Sequence, residues 1–255
     1  MDQQQICNLI RSFLSIQYNC KPDIFDQNGI FYTTATEAAH LDQDPVLKIM
    51  CMGKSIVITA SSSILESVKK LTLDKTREEL FEFPLIYGQS IYYIPDGNIP
   101  NTLPSPSLNL TYSIYEQDDI FSLKQFSSKF TNSIDFDSSG KTNTCIALCA
   151  ILNHEIIAIA SAAKINDSIW EVGIDVLENF RKQGIATYLV WKLTKLILEK
   201  NIVPIYCAAS SNVLSQMVAH ACSYKPYWIE SYKNILDSSS VYDNILKKVI
   251  STIDL

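Results

Sequence analysis

Val176-Leu177-Glu178-Asn179-Phe180-Arg181-Lys182-Gln183-Gly184-Ile185-Ala186 joins two stretches of different period. Before it, residues 168–177 read as a strand. After it, Leu189, Val190, Leu193, Leu196 and Ile197 share one side of a helix expected over 181–200. The first amides of a helix have no intrahelical partner, and the helix dipole places partial positive charge there. Such an end can hold a diphosphate through backbone donors. Gly184 and Ala186 keep side chains out of its way, and Arg181 and Lys182 add cationic charge. A Gly-x-Ala by itself also fits an ordinary β-α turn with a small residue packed close; its place between a strand and a long amphipathic helix is what favours the anion site.

Working outward, 108–114 reads as a strand and 118–130 as a helix. Residues 144–152 and 155–164 are strands around an Asn153-His154 turn, and a turn at Asn166-Asp167 leads into 168–177. Residues 203–209 form a strand, 212–222 a helix and 224–232 a last strand. The order from 108 onward is β-α-β-β-β-α-β-α-β.

The Arg181–Ala186 stretch resembles the acyl-CoA signature of the GNAT superfamily of N-acetyltransferases, Arg/Gln-x-x-Gly-x-Gly/Ala, with Arg181, Gly184 and Ala186 in place. Asn212, Ser215, Ala219 and Ser223-Tyr224 resemble the family's next element, although Ser223 stands where the family has glycine. The resemblance covers 108–234 and is strongest over 169–230. It implies an α/β (α+β) fold, a mixed and mostly antiparallel sheet flanked by helices, with a sheet that splays between 168–177 and 203–209. It also implies acetyl-CoA as co-substrate. The pantetheine arm would lie in the gap against the backbone of Ile174, Asp175 and Val176. The phosphates would meet Arg181, Lys182, Gln183, Gly184, Ile185, Ala186 and Thr187, and Asn212 and Ser215 would border the arm.

Acetyl transfer needs a neutral amine. Deprotonating a lysine-like amine at pH 7 costs roughly 4.6 kcal/mol, and an α-amine about 1.4 kcal/mol. A carboxylate base therefore helps. Glu171 and Asp175 lie before the signature, and alternation puts them on one face with Gly173. Glu171 is the first candidate and Asp175 the second; a solvated strand residue is the alternative for Glu171. The family often has a tyrosine seven residues after the helix-opening asparagine, as acid to the departing thiolate. Here that position is Ala219, and His220, Tyr224 or Tyr227 would have to substitute, or the thiolate leaves unassisted.

Pro95, Asp96-Gly97-Asn98, Pro100, Pro104 and Pro106 crowd residues 94–107, which read as a linker or long loop. The expected division is therefore 1–106, a smaller accessory α/β unit, and 107–255, the acyl-CoA-binding domain. In the first part, 6–16 has helical spacing, 46–52 and 55–60 form a hairpin at Gly53-Lys54, Ser61–Ser63 can cap a helix with Ile64, Leu65, Val68 and Leu71 inward, and Thr76 with Glu79 makes a capping box. This part is similar in layout to the accessory N-terminal half of some two-part bacterial GNAT proteins.

Of the 255 residues 47% are hydrophobic, and the formal net charge is −6. An acidic chain is a poor nucleic-acid binder, and no apolar run reaches the roughly 20 residues of a bilayer span. The start, Met1-Asp2-Gln3-Gln4-Gln5, lacks the basic character of a signal peptide. The seven cysteines show no zinc spacing and are expected as reduced thiols in a cytoplasm, Cys51, Cys145, Cys149 and Cys207 in apolar strands. His40, His154 and His220 show no metal spacing either, and no metal is expected. Gly53-Lys54-Ser55 imitates the end of a Walker A loop, but the first glycine's position is Lys48. Tyr224 to Trp228 could line a substrate mouth or a buried sheet edge. The chain is thus expected to be an acetyl-CoA-dependent N-acetyltransferase acting on a primary amine, small-molecule in kind. The acidic balance mildly favours a cationic acceptor. A non-catalytic acyl-CoA binder is the rival, kept open by Ala219. The acceptor, the acyl chain length and the oligomeric state are not written in the sequence.

Overall fold

The computed structural model describes residues 1–36, 45–81, 88–231, 236–238 and 241–252. In chain order the first elements are α1 (Gln3–Gln17), β1 (Gly29–Thr34), β2 (Leu47–Met52), β3 (Ser55–Ala60), α2 (Leu65–Thr72), α3 (Arg77–Phe81) and β4 (Gln89–Pro95). Then follow β5 (Thr111–Glu116), β6 (Thr144–Leu152), β7 (Glu155–Asn166), β8 (Ile169–Val176), α4 (Ile185–Glu199), β9 (Val203–Ala209), α5 (Val213–Ala221), β10 (Tyr224–Ser231) and α6 (Val241–Ser251). Among the described residues no helix is long and apolar enough to cross a membrane.

Two compact units result: 1–9, 93–208 and 212–226 form one, and 10–92, 209–211 and 227–255 the other. They differ from a single cut at 106/107. Residues 93–106 count with the long C-terminal part, and 227–255 with the N-terminal part.

In the unit built on residues 10–92, β1 lies parallel to β3, and β3 runs antiparallel to β2 across the Gly53-Lys54 turn. Gly53 has φ +57°, a left-handed conformation that favours glycine. On its other side β2 meets β10, with Ile229 opposite Cys51 and Glu230 opposite Met50. The core gathers Leu47, Ile49, Ile58, Val68, Leu80, Leu246 and Ile250. The capping box forms as its residues require: Thr76 N donates to Glu79 Oε2 at 2.8 Å and Glu79 N to Thr76 Oγ1 at 3.2 Å. β1 and α6 have no counterpart in the sequence expectations, and His40 and Tyr232 lie outside the described residues.

In the other unit β5, β6, β7 and β8 form an antiparallel meander, and β9 joins β8 in parallel. Asn153 and His154 take φ of +50° and +69°, the two left-handed residues of a tight hairpin turn. β4 was not among the expected elements, and its last two residues, Ile94 and Pro95, fall in the stretch 94–107 read as a linker or long loop. Residues 118–130, expected as a helix, overlap a 3-10 helix over Gln117–Phe126. With residues 127–136 it covers one face of the meander, where Leu123, Phe130, Ile134, Ala147, Cys149 and Ile159 pack together. α4 packs against β6, β7 and β8. The sheet is mixed and mostly antiparallel, flanked by helices.

Candidate active site

The parallel pairing of β8 with β9 runs from Ile169 opposite Val203 to Val172 opposite Tyr206, and Gly173 to Val176 have register partners on β7 alone. The two strands thus part after four residues. Leu177 N bonds to Ile157 O on the β7 side at 2.9 Å. Peptide groups alternate along a strand, so those of Val176 and Ile174 face the open side while that of Asp175 faces β7. Of the three backbone positions expected at an arm, Ile174 turns its N–H and C=O to the gap and Val176 its N–H, the Val176 C=O accepting from Arg181 Nε, while Asp175 faces β7.

At the end of β8 the chain makes a 3-10 turn over Glu178–Phe180, and Lys182 and Gly184 adopt φ of +62° and +78°. Gly184 is the N-cap, so α4 begins at Ile185 and not at Arg181 as the periodicity suggested. The first α-helical bond is Tyr188 N to Gly184 O at 3.0 Å. Ile185, Ala186 and Thr187 therefore present amides without an intrahelical acceptor. A Cβ built on Gly184 would meet nothing within 4 Å: the space in front of these amides is open, and the glycine is required there by its backbone angle. Arg181, Lys182 and Gln183 are exposed, whereas Ile185 buries its side chain and contributes only its amide. Arg181 Nε donates to Val176 O at 3.0 Å, which ties the guanidinium to the end of β8. Open space, unpaired helix-end amides and two exposed cations fit a diphosphate.

Asn212 caps α5, its Oδ1 accepting from Ser215 N at 3.1 Å, so the –NH2 end of that amide is the group suited to a ligand carbonyl. Ser215 Oγ lies 2.7 Å from the Tyr206 hydroxyl. Tyr206 occupies the last paired position before β8 and β9 part, and burial pushes its hydroxyl up to about 12. It stays protonated through neutral pH and can donate a hydrogen bond but not readily surrender the proton.

The two carboxylate candidates have different fates. Asp175 accepts four hydrogen bonds: from Asn132 N and Nδ2, both at 2.7 Å, from Ser133 N at 3.0 Å and from Ser133 Oγ at 3.2 Å. Its lone pairs are committed, which suits an anchor and not a base. Glu171 is half-buried on the same face of β8, beyond Gly173. A Cβ on Gly173 would run into the Asn132 carbonyl, and Ser161 Oγ donates to the Ser133 carbonyl. The 132–133 backbone thus lies directly on the sheet between the two carboxylates.

Ala219 is buried. The three substitutes for the missing acid each have other contacts. Tyr224 is in the core, bonded to Thr194 Oγ1 at 2.8 Å, its hydroxyl pushed far up by burial. His220 is exposed, edge-on to Tyr93 at 5.4 Å. Tyr227 belongs to the other unit, where Arg11 Nε donates to it at 3.4 Å. Sequence reasoning missed Tyr206, whose place at the parting of the strands needs the register, and Asn132 and Ser133, which carry no motif. Among the described residues no group of three or more His, Cys, Asp or Glu is disposed to hold a metal ion.

Comparison with known proteins bears on this arrangement. Residues 108–229 match the family model described as GNAT acetyltransferase. No curated protein matches. Among solved structures, a GNAT-family acetyltransferase from Colwellia psychrerythraea is 14% identical at a TM-score of 0.45, the match covering 67% of this chain and 62% of that one. A GCN5-related N-acetyltransferase from Kribbella flavida is also 14% identical, with a TM-score of 0.42 and coverage of 57% and 56%. An aminoglycoside N-acetyltransferase in complex with CoA is 14% identical at a TM-score of 0.36, over 48% of this chain and 92% of that one. The chain spans less than two thirds of the length of the first two. Residues 108–229, just under half of the chain, carry the Arg181–Ala186 turn and the parted strands and match the GNAT acetyltransferases.

Proposed function

We propose that this protein is an acetyl-CoA-dependent N-acetyltransferase of a primary amine, working in the cytoplasm. The observation that carries the proposal is the open, glycine-capped start of α4 at the end of a strand whose outer edge has lost its partner. The helix-end amides with Arg181 and Lys182 take the diphosphate, the Ile174 and Val176 backbone takes the pantetheine amides, and Asn212 reaches the arm. The thioester supplies the acetyl group. The neutral amine attacks the thioester carbon, the C–S bond breaks, and the acetyl group stays on nitrogen. Glu171 accepts the proton the amine sheds, and the departing thiolate takes one from solvent. Positioning of the two reactants is a large part of the rate. All seven cysteines are thiols, as a reducing compartment keeps them.

The test is thermal unfolding with and without acetyl-CoA, on the wild type and on a variant carrying Arg181→Glu and Gly184→Trp. Ligand at about 100 times its dissociation constant stabilises by about 2.7 kcal/mol, a rise of roughly 5 to 10 °C for a chain of this size. A rise lost in the variant supports the site; no rise at saturation removes both the site and the transferase reading. The second reading, an acyl-CoA binder without turnover, rests on the buried Ala219 in the acid's place. Binding without CoA release across a broad amine panel would favour it.

A further inference from the structure

In the proposed binding mode CoA enters at the open start of α4, and Arg181, tied to Val176 O at 3.0 Å, marks the end of β8 nearest the diphosphate. From there the unpaired edge of β8 leads back past Val176 and Ile174 to the last paired position, Val172 opposite Tyr206. Val176 to Val172 is about 13 Å of strand, at roughly 3.3 Å per residue. The sulfur ends the arm, so it is the part of CoA that comes nearest the vertex where β8 and β9 rejoin.

Two hydroxyls meet beside that vertex. Tyr206 is 1% exposed, and its hydroxyl lies 2.7 Å from Ser215 Oγ. Ser215 is half-buried in the first turn of α5, and its N–H bonds to the Asn212 cap at 3.1 Å. Residues three apart are neighbours on a helix surface, so Ser215 lies beside the amide that reaches the arm. The bond between the hydroxyls uses one of their two protons and leaves the other to be donated. Ser215, the less buried of the two, is placed to offer it, with Tyr206 donating to Ser215 Oγ from behind.

This arrangement suits a departing sulfur. As the amine nitrogen bonds to the thioester carbon and the C–S bond breaks, the electron pair of that bond stays on sulfur. A hydrogen bond to an ionised acceptor is about twice as strong as one to a neutral acceptor. It therefore favours the developing thiolate over the thioester. Tyr206, pushed up to about 12 by burial, keeps its proton against a thiol of ordinary value, about 8.5. The pair thus steadies the sulfur, and the proton that completes CoA comes from solvent.

We propose that Ser215 Oγ, oriented by the Tyr206 hydroxyl, donates the hydrogen bond that holds the departing CoA thiolate, an assignment that rests on the acetyltransferase reading. Ser215 is then the residue that touches the reacting sulfur, and Tyr206 is a positioning residue.

The experiment follows, by NMR against pH, CoA carrying 13C at the carbon bonded to sulfur and bound to the full chain. The label reports the CoA thiol apart from the seven cysteines of the protein. In the wild type the bound thiol ionises at lower pH than in free CoA. Ser215→Ala raises its pKa by about one or more, as the loss of a hydrogen bond to a charged group requires. Ser215→Thr keeps the hydroxyl and stays near the wild-type value, and Tyr206→Phe gives a smaller rise. A wild-type bound thiol that ionises at or above the pH of free CoA overturns the assignment, and so does an unchanged value in either loss variant. The wild-type comparison decides the matter if neither variant folds. Both of these failures leave CoA binding, and with it the acetyltransferase reading, in place. Absence of CoA binding to the wild type removes both.

Discussion

Asp175 grips Asn132 twice, accepting its backbone N–H and its side-chain –NH2 at 2.7 Å each, across 43 residues of sequence. With the two bonds from Ser133 this fastens the 132–133 backbone to the edge of the parted strands. Asp175 is accordingly a positioning residue for the wall beside Glu171. Asp175→Ala leaves these donors without their acceptor and is expected to cost about 1.5–3 kcal/mol, the range for hydrogen bonds to a charged group. Asp175→Asn, which keeps one acceptor oxygen, should recover part of that loss. Denaturant midpoints check the stability. Amide exchange at Asn132 and Ser133 separates a local release from a global one: equal protection in wild type and Asp175→Ala would remove the anchor.

Gly173 has a sharper requirement. Its backbone is ordinary strand, so the constraint is space alone: a methyl group there meets the Asn132 carbonyl and the Ser133 Cα. Backbone cannot swing aside as a long side chain can. Gly173→Ala should therefore destabilise by about 1–3 kcal/mol, the usual cost of overpacking. That corresponds to a fall of roughly 2–4 °C per kcal/mol in the melting temperature. A variant that melts with the wild type would show that the 132–133 segment does not rest on β8.

The difference between these contacts and the Arg181–Ala186 turn explains what the sequence disclosed. The turn is local: a strand, Arg181 to Ala186 and a helix follow one another within one stretch, and periodicity plus one glycine locate it. The hairpin at Gly53-Lys54 and the Thr76–Glu79 box were legible for the same reason. Asp175 was placed on the correct face with Gly173 and Glu171, but its role depends on a segment 43 residues away. β4 was hidden because Pro95, its last residue, and Pro100 beyond it mark a loop, while Tyr93 and Ile94 just before Pro95 are buried in a sheet. β1, Gly-Ile-Phe-Tyr-Thr-Thr, carries aromatic and branched residues that a stricter count of strand formers would have found. The start of α4 shifted from 181 to 185 because left-handed Lys182 and Gly184 interrupt a helix that side-chain period alone cannot bound.

Tyr206 supplies a prediction in alkaline solution. Its hydroxyl is raised from about 10 in the unfolded chain to about 12 in the fold by burial. The folded state then holds the proton more tightly than the unfolded one. This contribution is complete below pH 10, and it is lost as pH rises through the interval up to 12. At two pKa units it is worth about 2–3 kcal/mol. Cys149 and Cys222, also raised to about 12 by burial, lose stability over a wider alkaline window that opens near the ordinary thiol value. Tyr206→Phe removes the tyrosine's share and leaves the thiol share, so its stability should fall less steeply between pH 10 and 12 than that of the wild type. Identical slopes in urea titrations across that interval would show that Tyr206 is not shielded from water.

A cut in the proline-rich stretch tests where the unit that carries α4 ends. Residues 93–106 are built into the first unit: Tyr93 and Ile94 are buried, and Asp96 N bonds to Ser223 O at 2.9 Å. Trp191 Nε1 donates to Pro100 O at 2.8 Å, and Lys195 Nζ to Asn101 O at 3.0 Å. A fragment of 107–255 lacks all of these, exposing the surfaces that Tyr93 and Ile94 cover at about 1.5–3 kcal/mol for each side chain. It also keeps the 227–255 tail while losing 10–92, with which that tail packs. Both losses fall on a net stability of only about 5–15 kcal/mol. The fragment should therefore be insoluble or lack a cooperative thermal transition. A fragment starting at residue 93 should be better ordered around α4, with Trp191 fluorescence closer to that of the full chain. If 107–255 alone melts sharply and is stabilised by acetyl-CoA, the N-terminal residues are dispensable to the site, and the assignment of 93–106 to the unit that carries α4 fails.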